Sequence, residues 1–240
     1  MMILWTLLIG HFLADFTFQS AEWANKKTEK FRYLFSHALV YAILLAAATL
    51  VCVPTDTAVL PIGIIVLSHF AIDWIRVLID KHTRSKLVHF SSFVIDQALH
   101  IGIICLVCSV FGLNNLLRPW VYNLFPSVDI DKVLRYTLIF IVILDPASVF
   151  VKKLSFYIAK EGSNTSSKKE APIGRIIGKL ERIIIAILVI CNEIGAIGFV
   201  LTAKSLARYK QLNDQDFAEK YLVGTLSSTA IAIIAALILK

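Results

Sequence analysis

The feature that most constrains the fold is a series of apolar runs, each about 18 to 25 residues long, that recurs along the 240-residue chain. A helix rises about 1.5 Å per residue, so a run of this length crosses a hydrocarbon core of roughly 30 Å. Charged residues make up only 17% of the sequence and the mean hydropathy is +0.75, which excludes an ordinary soluble domain. The sequence therefore predicts an all-α, polytopic membrane helix bundle.

Seven transmembrane helices are predicted, and short polar segments connect most of them. Their approximate bounds are 2–19, 34–53, 60–80, 89–111, 133–151, 181–203 and 219–239. The first run lacks a basic flank and contains polar residues, so we expect a retained span and not a signal peptide. Most of the 24 Lys and Arg fall on one side of this arrangement. The positive-inside rule makes that side cytoplasmic, which predicts an N-out, C-in orientation and explains the net charge of +7 without a nucleic-acid partner.

We expect residues 1–240 to form a single integral membrane domain with two regions. Residues 1–111 contain a duplicated helical hairpin, and residues 112–240 form a second helical region with a flexible basic loop at 152–180. Two segments leave alternatives open. Residues 112–126 could be a surface or re-entrant helix, and a shallow amphipathic helix could precede the sixth span.

Polar residues inside the apolar runs are the strongest chemical signal. A small residue precedes a histidine three times, and the segments GHFLADF at 10–16 and SHFAIDW at 68–74 each add an aspartate four residues later. A fourth run carries the pair in reverse order. Residues four apart lie on one helix face, with Cβ atoms about 5 to 6 Å apart. The candidate metal ligands are His11, Asp15, His37, His69, Asp73, Asp96 and His100.

The spacing of these residues predicts that they converge. Asp15 precedes His37 by 22 residues, and Asp73 precedes Asp96 by 23, as expected for two copies of one hairpin. Because two spans separate the copies, both hairpins enter the membrane in the same direction. Their polar ends should therefore meet at one depth, near the cytoplasmic face.

The free-energy cost of placing these aspartates in a membrane favours a functional role for the cluster. An aspartate at the centre of a membrane helix costs about 2.5 to 3.5 kcal/mol on insertion scales. A divalent cation would compensate, and mixed histidine and aspartate ligation suits zinc, manganese or iron; seven ligands allow one or two ions. The alternatives are a proton relay, hydrogen bonds that join helices, haem ligation by the histidines, and an ion pair between Arg76 and Asp73.

The second half carries fewer polar candidates. Lys204, Ser205 and Arg208 share one helical face and could bind a phosphate or lipid headgroup as a cofactor site, although snorkelling to the membrane surface also explains them. Glu193 lies within the sixth predicted span, where function and helix-to-helix hydrogen bonding are equally compatible with its position.

The opening GHFLADFTFQ, with the C-terminal stretches GRIIGKLERIII and EIGAIGFVLTAKSLARYK, resembles an uncharacterised bacterial integral membrane family, domain of unknown function 3307. The resemblance covers most of the chain, implies location in the bacterial inner membrane, and implies no established activity. The early histidines and aspartates also look like those of membrane-bound metal-dependent hydrolases, although the R-G-x-T-H-S type of motif is missing.

These patterns favour a metal-dependent membrane enzyme, in particular a hydrolase that acts on a lipid or lipid-linked substrate at the cytoplasmic face. Asp73 or Asp96 would act as the catalytic base. The alternatives are a transporter of metal ions or protons and a scaffold without catalytic activity. Membrane lipids are the expected partners, and a homo-oligomer is compatible with the sequence.

Overall fold

The computed structural model describes residues 1–19, 23, 26, 27, 30–116, 118, 126–158 and 172–240. Regular structure within these ranges is helical, with no strand among them, so the all-α class is confirmed. The helices are α1 (Met2–Phe12), α2 (Phe31–Cys52), α3 (Thr55–His82), α4 (Lys86–Val110), α5 (Ile130–Ile158), α6 (Pro172–Ile190), α7 (Gly195–Ala207) and α8 (Gln215–Leu239).

Five helices in the described part of the chain are long and apolar enough to cross a membrane, namely α2, α3, α4, α5 and α8. Each coincides with one of the seven predicted spans. The first predicted span corresponds to a shorter apolar helix, Met2–Thr17, in which α1 continues into a π-helical turn, Leu13–Thr17. The structure thus indicates a membrane protein with fewer long spans than the sequence predicted.

The prediction of one continuous helix over 181–203 is wrong. The chain leaves helical geometry after Ile190 and enters α7 at Gly195. Asn192 between them has a φ of 65°, the left-handed conformation that ends helices and that asparagine tolerates better than most residues. One long apolar stretch therefore contains two shorter helices. Hydropathy could not predict the break, because it depends on the backbone conformation of a single residue.

Packing divides the chain into two compact units, Met1–Leu138 and Ile139–Lys240, with the boundary inside α5. The prediction of a single membrane domain stays a prediction. Helix α5 continues to Ile158 and α6 begins at Pro172, so both flanks of the loop predicted at 152–180 are helical, and its middle lies outside the described residues. Most of the segment 112–126, the predicted surface or re-entrant helix, also lies outside them.

In the first unit, α1 to α4 form a closed ring in which α1 packs against α2 and α4, and α3 packs against the same two helices. Phe35, Leu39 and Ile43, four residues apart on α2, are exposed on the outside of the ring. The inward faces carry buried histidines and aspartates. Apolar side chains outside and polar ones inside are expected for a bundle surrounded by lipid. The two predicted hairpins, α1 with α2 and α3 with α4, lie side by side.

One of the three small residues that precede a histidine lies at a close helix approach. A Cβ at Gly10 would stand 3.4 Å from Leu45 Cδ1 on α2, so glycine allows α1 and α2 to approach closely. Ser36 and Ser68 instead donate their hydroxyls to carbonyls of their own helices, those of Arg32 and Ile65. The small-residue pattern therefore has a packing explanation at Gly10.

The second unit buries an arginine among backbone carbonyls. Arg182 of α6 is 3% exposed and donates to the carbonyls of Ile143 and Leu144 in the turn before Pro146 of α5. It also donates to the hydroxyl of Ser228 on α8, at 3.0 Å, and to that of Ser148. Proline interrupts helical hydrogen bonding, and the guanidinium, with five N–H donors, supplies bonds in this region. Arg182 therefore joins α5, α6 and α8 from the inside.

We expect Arg182→Met to destabilise the protein by about 3 kcal/mol, because the serine hydroxyls and carbonyls would lose charged hydrogen bonds. Arg175→Met is the matched control, since Arg175 lies on the same helix and is exposed. Chemical unfolding of the two purified variants in detergent measures the difference. Equal stability of the two variants would contradict a structural role for Arg182.

Candidate metal centre

All seven predicted ligands lie in the four-helix ring of the first unit, towards the end at which α1 stops and α2 starts. Asp15 lies in the π-helical turn after α1, and His37 lies in the second turn of α2. His69 and Asp73 occupy the C-terminal half of α3, Asp96 lies in the N-terminal half of α4 with His100 just past its middle, and His11 is the penultimate residue of α1. Antiparallel neighbours in the ring bring these segments to one level.

Three ligand atoms from three helical segments form a compact triangle. His37 Nε2 lies 3.1 Å from Asp15 Oδ1 and 3.2 Å from His69 Nε2, and His69 Nε2 lies 3.4 Å from Asp15 Oδ1. Two atoms bound to one tetrahedral metal at about 2.0 to 2.1 Å stand about 3.3 to 3.4 Å apart. The triangle therefore has the dimensions of three ligands around one zinc-like cation.

Asp73 faces this triangle from slightly further away. Its Oδ2 lies 3.6 Å from His37 Nε2 and 3.8 Å from His69 Nε2, the two longest edges of the set. The same oxygen accepts a hydrogen bond from Lys27 Nζ at 2.7 Å. Asp73 can thus act as a fourth ligand or can hydrogen-bond whatever occupies the fourth position, but Lys27 competes for its oxygen.

A second group adjoins the first through the other oxygen of Asp73. His100 Nε2 lies 3.9 Å from Asp73 Oδ1 and 3.5 Å from Asp96 Oδ1. Among the described residues, His100 Nε2 and Asp96 Oδ1 have no hydrogen-bond partner although both are buried. Orphaned buried polar atoms are costly and rare, so this pair has unused capacity to bind a cation or a proton.

Besides the triangle, three overlapping sets of side chains within the described residues have ligand atoms within 4.8 Å of one another and could hold a metal ion. They are His11, Asp15 and His69; His37, His69 and Asp73; and Asp73, Asp96 and His100.

His11, near the end of α1, is fully buried beside the cluster. Its Nδ1 is 3.3 Å from the hydroxyl of Tyr41, and its buried Nε2 has no hydrogen-bond partner in the described structure. The Tyr41 ring also stacks on His69, with ring centroids 3.7 Å apart and planes within 6°. Tyr41 therefore fixes the orientation of two candidate ligands.

Outer residues hold one oxygen of each aspartate. Gln97 Nε2 donates to Asp15 Oδ2 at 3.1 Å and to Asp96 Oδ2 at 3.0 Å, and Arg76 donates to the same Asp96 oxygen at 2.9 Å. The other oxygens of Asp15 and Asp96 then face the ligand groups. Such outer contacts orient ligands and tune a metal centre.

The ion pair considered between Arg76 and Asp73 is not observed in the structure. Arg76 instead contacts Asp96 and Asp80, while Lys27 pairs with Asp73. Asp73 lies three residues before Arg76, and Asp80 lies four residues after it. Both are one helical turn away, so sequence spacing alone could not predict which of them Arg76 contacts.

Sequence reasoning overlooked Tyr41, Gln97 and Lys27 as members of the centre. Two of them carried a usable signal. Tyr41 lies four residues after His37 on the same helix face, and Gln97 is a polar residue in an apolar run, next to Asp96. Lys27 belongs to the connection between α1 and α2, where no periodicity indicates which basic residue turns inwards.

The three residues of the predicted phosphate site have internal partners in the second unit, and the site stays a prediction. Lys204 pairs with Glu181, and Ser205 contacts the hydroxyl of Tyr221 at 3.2 Å, whereas Arg208 contacts Gln211 near the end of α7. Glu193 is exposed in the break between α6 and α7. Internal partners therefore occupy Lys204 and Ser205.

The fold and the centre define a class: an all-α membrane protein whose first four helices enclose histidine and aspartate groups that could bind a metal. The chain belongs to the family described as Protein of unknown function (DUF3307), which matches residues 3–124. The matched range contains every residue of the candidate centre. It ends before the basic motif at Lys204, Ser205 and Arg208, so the family match supports a smaller part of the chain than the sequence resemblance suggested.

No curated protein and no solved structure matches this chain. The likeness to membrane-bound metal-dependent hydrolases therefore has no support from known proteins. Only the geometry of the centre bears on catalysis.

We expect His37→Ala and His69→Ala each to reduce zinc affinity more than 100-fold, because each substitution removes one corner of the triangle. Loss of an outer contact costs about 10- to 100-fold in metal affinity, and loss of a ligand should cost more. His82→Ala is the control, since His82 is exposed and bonds a carbonyl of its own helix. Elemental analysis after dialysis against zinc measures the bound metal. Unchanged zinc in both cluster variants would exclude this site.

We expect Gln97→Leu to weaken zinc binding by about 10- to 100-fold while all ligands remain, because Asp15 and Asp96 would lose a shared donor. Competition with a chelator of known affinity gives the dissociation constant. Gln211→Leu is a control outside the first unit. A dissociation constant equal to that of the wild type would show that Gln97 does not orient the ligands.

Proposed function

We propose that this protein is a metal-dependent membrane enzyme, and specifically a hydrolase that acts on a lipid or lipid-linked substrate. The observation that carries the proposal is the triangle of Asp15 Oδ1, His37 Nε2 and His69 Nε2, with edges of 3.1 to 3.4 Å, and with Asp73 facing its open side. Catalytic zinc sites commonly use three protein ligands, including two histidines and a carboxylate, and leave the fourth position to water.

The residues around the triangle have the chemistry that hydrolysis requires. A divalent cation lowers the pKa of a coordinated water from 15.7 to about 7. Asp73 Oδ2, 3.6 Å from His37 Nε2 and 3.8 Å from His69 Nε2, would accept the proton of the attacking water. The water oxygen would form the new bond as the bond to the leaving oxygen breaks, and the proton would pass to the leaving oxygen.

Asp96 is the second carboxylate in this proposal. Its Oδ1 is buried without a hydrogen-bond partner among the described residues, whereas its Oδ2 is held by Arg76 and Gln97. An oxygen in this state can carry a proton towards the leaving group or bind a second cation with His100 and Asp73. Both roles require the free oxygen to point into the centre, as it does towards His100.

The location of the centre favours a lipid substrate. It lies inside a ring of helices whose outer faces are apolar, and basic residues cluster in the connections at the same end. The positive-inside rule makes this the cytoplasmic end, and we propose the bacterial inner membrane as the location. Membrane lipids would reach the centre laterally or from the headgroup layer.

Asp73→Asn tests the proposal. The variant should retain zinc, because the three atoms of the triangle remain, but hydrolysis should fall by about 10²- to 10⁴-fold with the loss of the base. Zinc-loaded protein in vesicles of bacterial lipid extract is incubated and the lipid products are identified by mass spectrometry. His82→Ala controls for surface substitutions. If zinc-loaded wild type releases no product, the hydrolase proposal fails.

Cobalt substitution tests the open position independently of any substrate. A small anion such as azide should change the visible spectrum of cobalt-loaded wild type, because an exchangeable position exists next to the triangle. The same addition should leave the spectrum unchanged if Asp73 closes the coordination as a fourth ligand. That result would point to a structural metal and contradict catalysis.

Transport is the second candidate, and polar groups that extend beyond the centre favour it. Tyr41 contacts His11 on one side of the centre, and on the other side Arg76 contacts Asp80, which contacts His89. Such a series along a bundle could pass protons or a metal ion. The same vesicles distinguish the functions: zinc or proton flux that Asp73→Asn abolishes, without lipid products, would replace hydrolysis by transport.

A further inference from the structure

Two cations, Lys27 and Arg76, lie at the edge of the centre and are not metal ligands themselves. Lys27 Nζ contacts Asp73 Oδ2 at 2.7 Å, and Arg76 contacts Asp96 Oδ2 at 2.9 Å. Their side chains are 10% and 23% exposed, so they lie between the buried ligands and the outside of the ring. Both pair with a carboxylate that also faces the candidate ligand groups.

A bound metal would change the charge balance of this region. The three aspartates of the centre together with Asp80, which lies 3.8 Å from Arg76, outweigh Lys27 and Arg76 by two negative charges, four against two. One divalent cation would neutralise this excess, and a second one, for which Asp73, Asp96 and His100 offer ligands, would make the region positive. Excess positive charge in an apolar bundle is unfavourable unless an anion compensates it.

Metal binding would also release donors. A cation at the triangle attracts Asp73 Oδ2, the oxygen that Lys27 now contacts, so the ammonium group would lose part of its present partner. Gln19 can hold Lys27 in place. When the Gln19 amide nitrogen donates to the backbone carbonyl of Asp15, the amide oxygen accepts a hydrogen bond from Lys27 Nζ at 2.7 Å. Lysine and arginine with available N–H groups next to a metal form a typical phosphate site.

Aromatic residues indicate how deep the site lies. Phe31, Phe70 and Trp74 form a cluster on the outer surface of α2 and α3, with ring centroids 6.2 to 6.5 Å apart. Trp74 follows Asp73 directly and is 48% exposed. Tryptophan is enriched at the membrane–water interface. The exposed Trp74 next to Asp73 therefore favours a position of the centre and its two cations near the headgroup level.

We infer that Lys27 and Arg76 bind the phosphate group of a membrane lipid beside the metal centre, so that the substrate is a phosphate-bearing lipid. This inference rests on the proposed function, to which it adds the chemical class of the substrate. The phosphate would accept hydrogen bonds from the N–H groups that face Asp73 and Asp96 now. The acyl chains of the lipid would lie along the apolar outer face near Phe31 and Trp74.

Binding to zinc-loaded protein tests the inference without requiring turnover. One arm uses phosphatidylcholine vesicles with and without phosphatidic acid, and the other uses inorganic phosphate. We expect wild type to bind phosphatidic acid at least tenfold more tightly than inorganic phosphate. Equal or stronger binding of inorganic phosphate would overturn the lipid assignment, and absence of binding in both arms would overturn the phosphate site.

The variants Lys27→Gln and Arg76→Gln should each weaken binding of phosphatidic acid at least tenfold when compared with the wild type at equal zinc occupancy. Lys27→Arg should restore binding, which separates loss of charge from a failure to fold. Lys81→Gln is the charge-matched control, since Lys81 is exposed on the same helix as Arg76. If both glutamine variants bind phosphatidic acid as the wild type does, the inference is wrong.

Metal content measured on the same samples separates the two proposals. Zinc-loaded wild type that fails to bind phosphatidic acid overturns this inference and leaves the metal centre intact. Wild type that binds no metal overturns the proposed function, and the inference with it.

Discussion

The insertion of aspartates into apolar helices is the constraint on which the first unit depends. Each carboxylate costs about 2.5 to 3.5 kcal/mol at the centre of a membrane helix unless a partner compensates it. The closest partners come from other helices: Asp15 is nearest to His37, and Arg76 on α3 contacts Asp96 on α4. A partner on another helix can compensate the carboxylate only if the two helices are neighbours. The buried polar residues therefore favour the closed ring of α1 to α4, and the ring in turn brings each of them to its partner.

Arg182 and the residues of the candidate centre bury charge in different ways. Arg182 donates to carbonyls and hydroxyls of α5 and α8, and the result is a fixed joint between helices. In the centre, the buried atoms His11 Nε2, Asp96 Oδ1 and His100 Nε2 have no hydrogen-bond partners among the described residues. Glu181 Oε1 and Thr229 Oγ1 of the second unit share that state, so the centre is distinguished by having three such atoms in one cluster. A network that is only partly satisfied stabilises a fold poorly, and its buried atoms are available to a ligand.

The sequence predicted the long spans and the convergence of ligands because both follow from periodic patterns. Apolar runs matched α2 to α5 and α8, and spacing of four residues identified the histidine and aspartate faces. Two kinds of feature could not be predicted this way. The break at Asn192 depends on one left-handed residue, and the inward position of Lys27 depends on the path of a connection, and neither alters hydropathy or helical period.

The π-helical turn at Leu13–Thr17 makes the length of the first helix part of the centre. Phe18 bonds to the carbonyl of Leu13 across one more residue than an α-helix uses, and Asp15 lies inside that wider turn. Removing one residue there would restore α-helical winding and change which residue of the turn faces the centre. The ligand set would then lose a corner although no ligand had been replaced. When sequences of this family are compared, an insertion or deletion between His11 and Gln19 is therefore more informative about the centre than most substitutions.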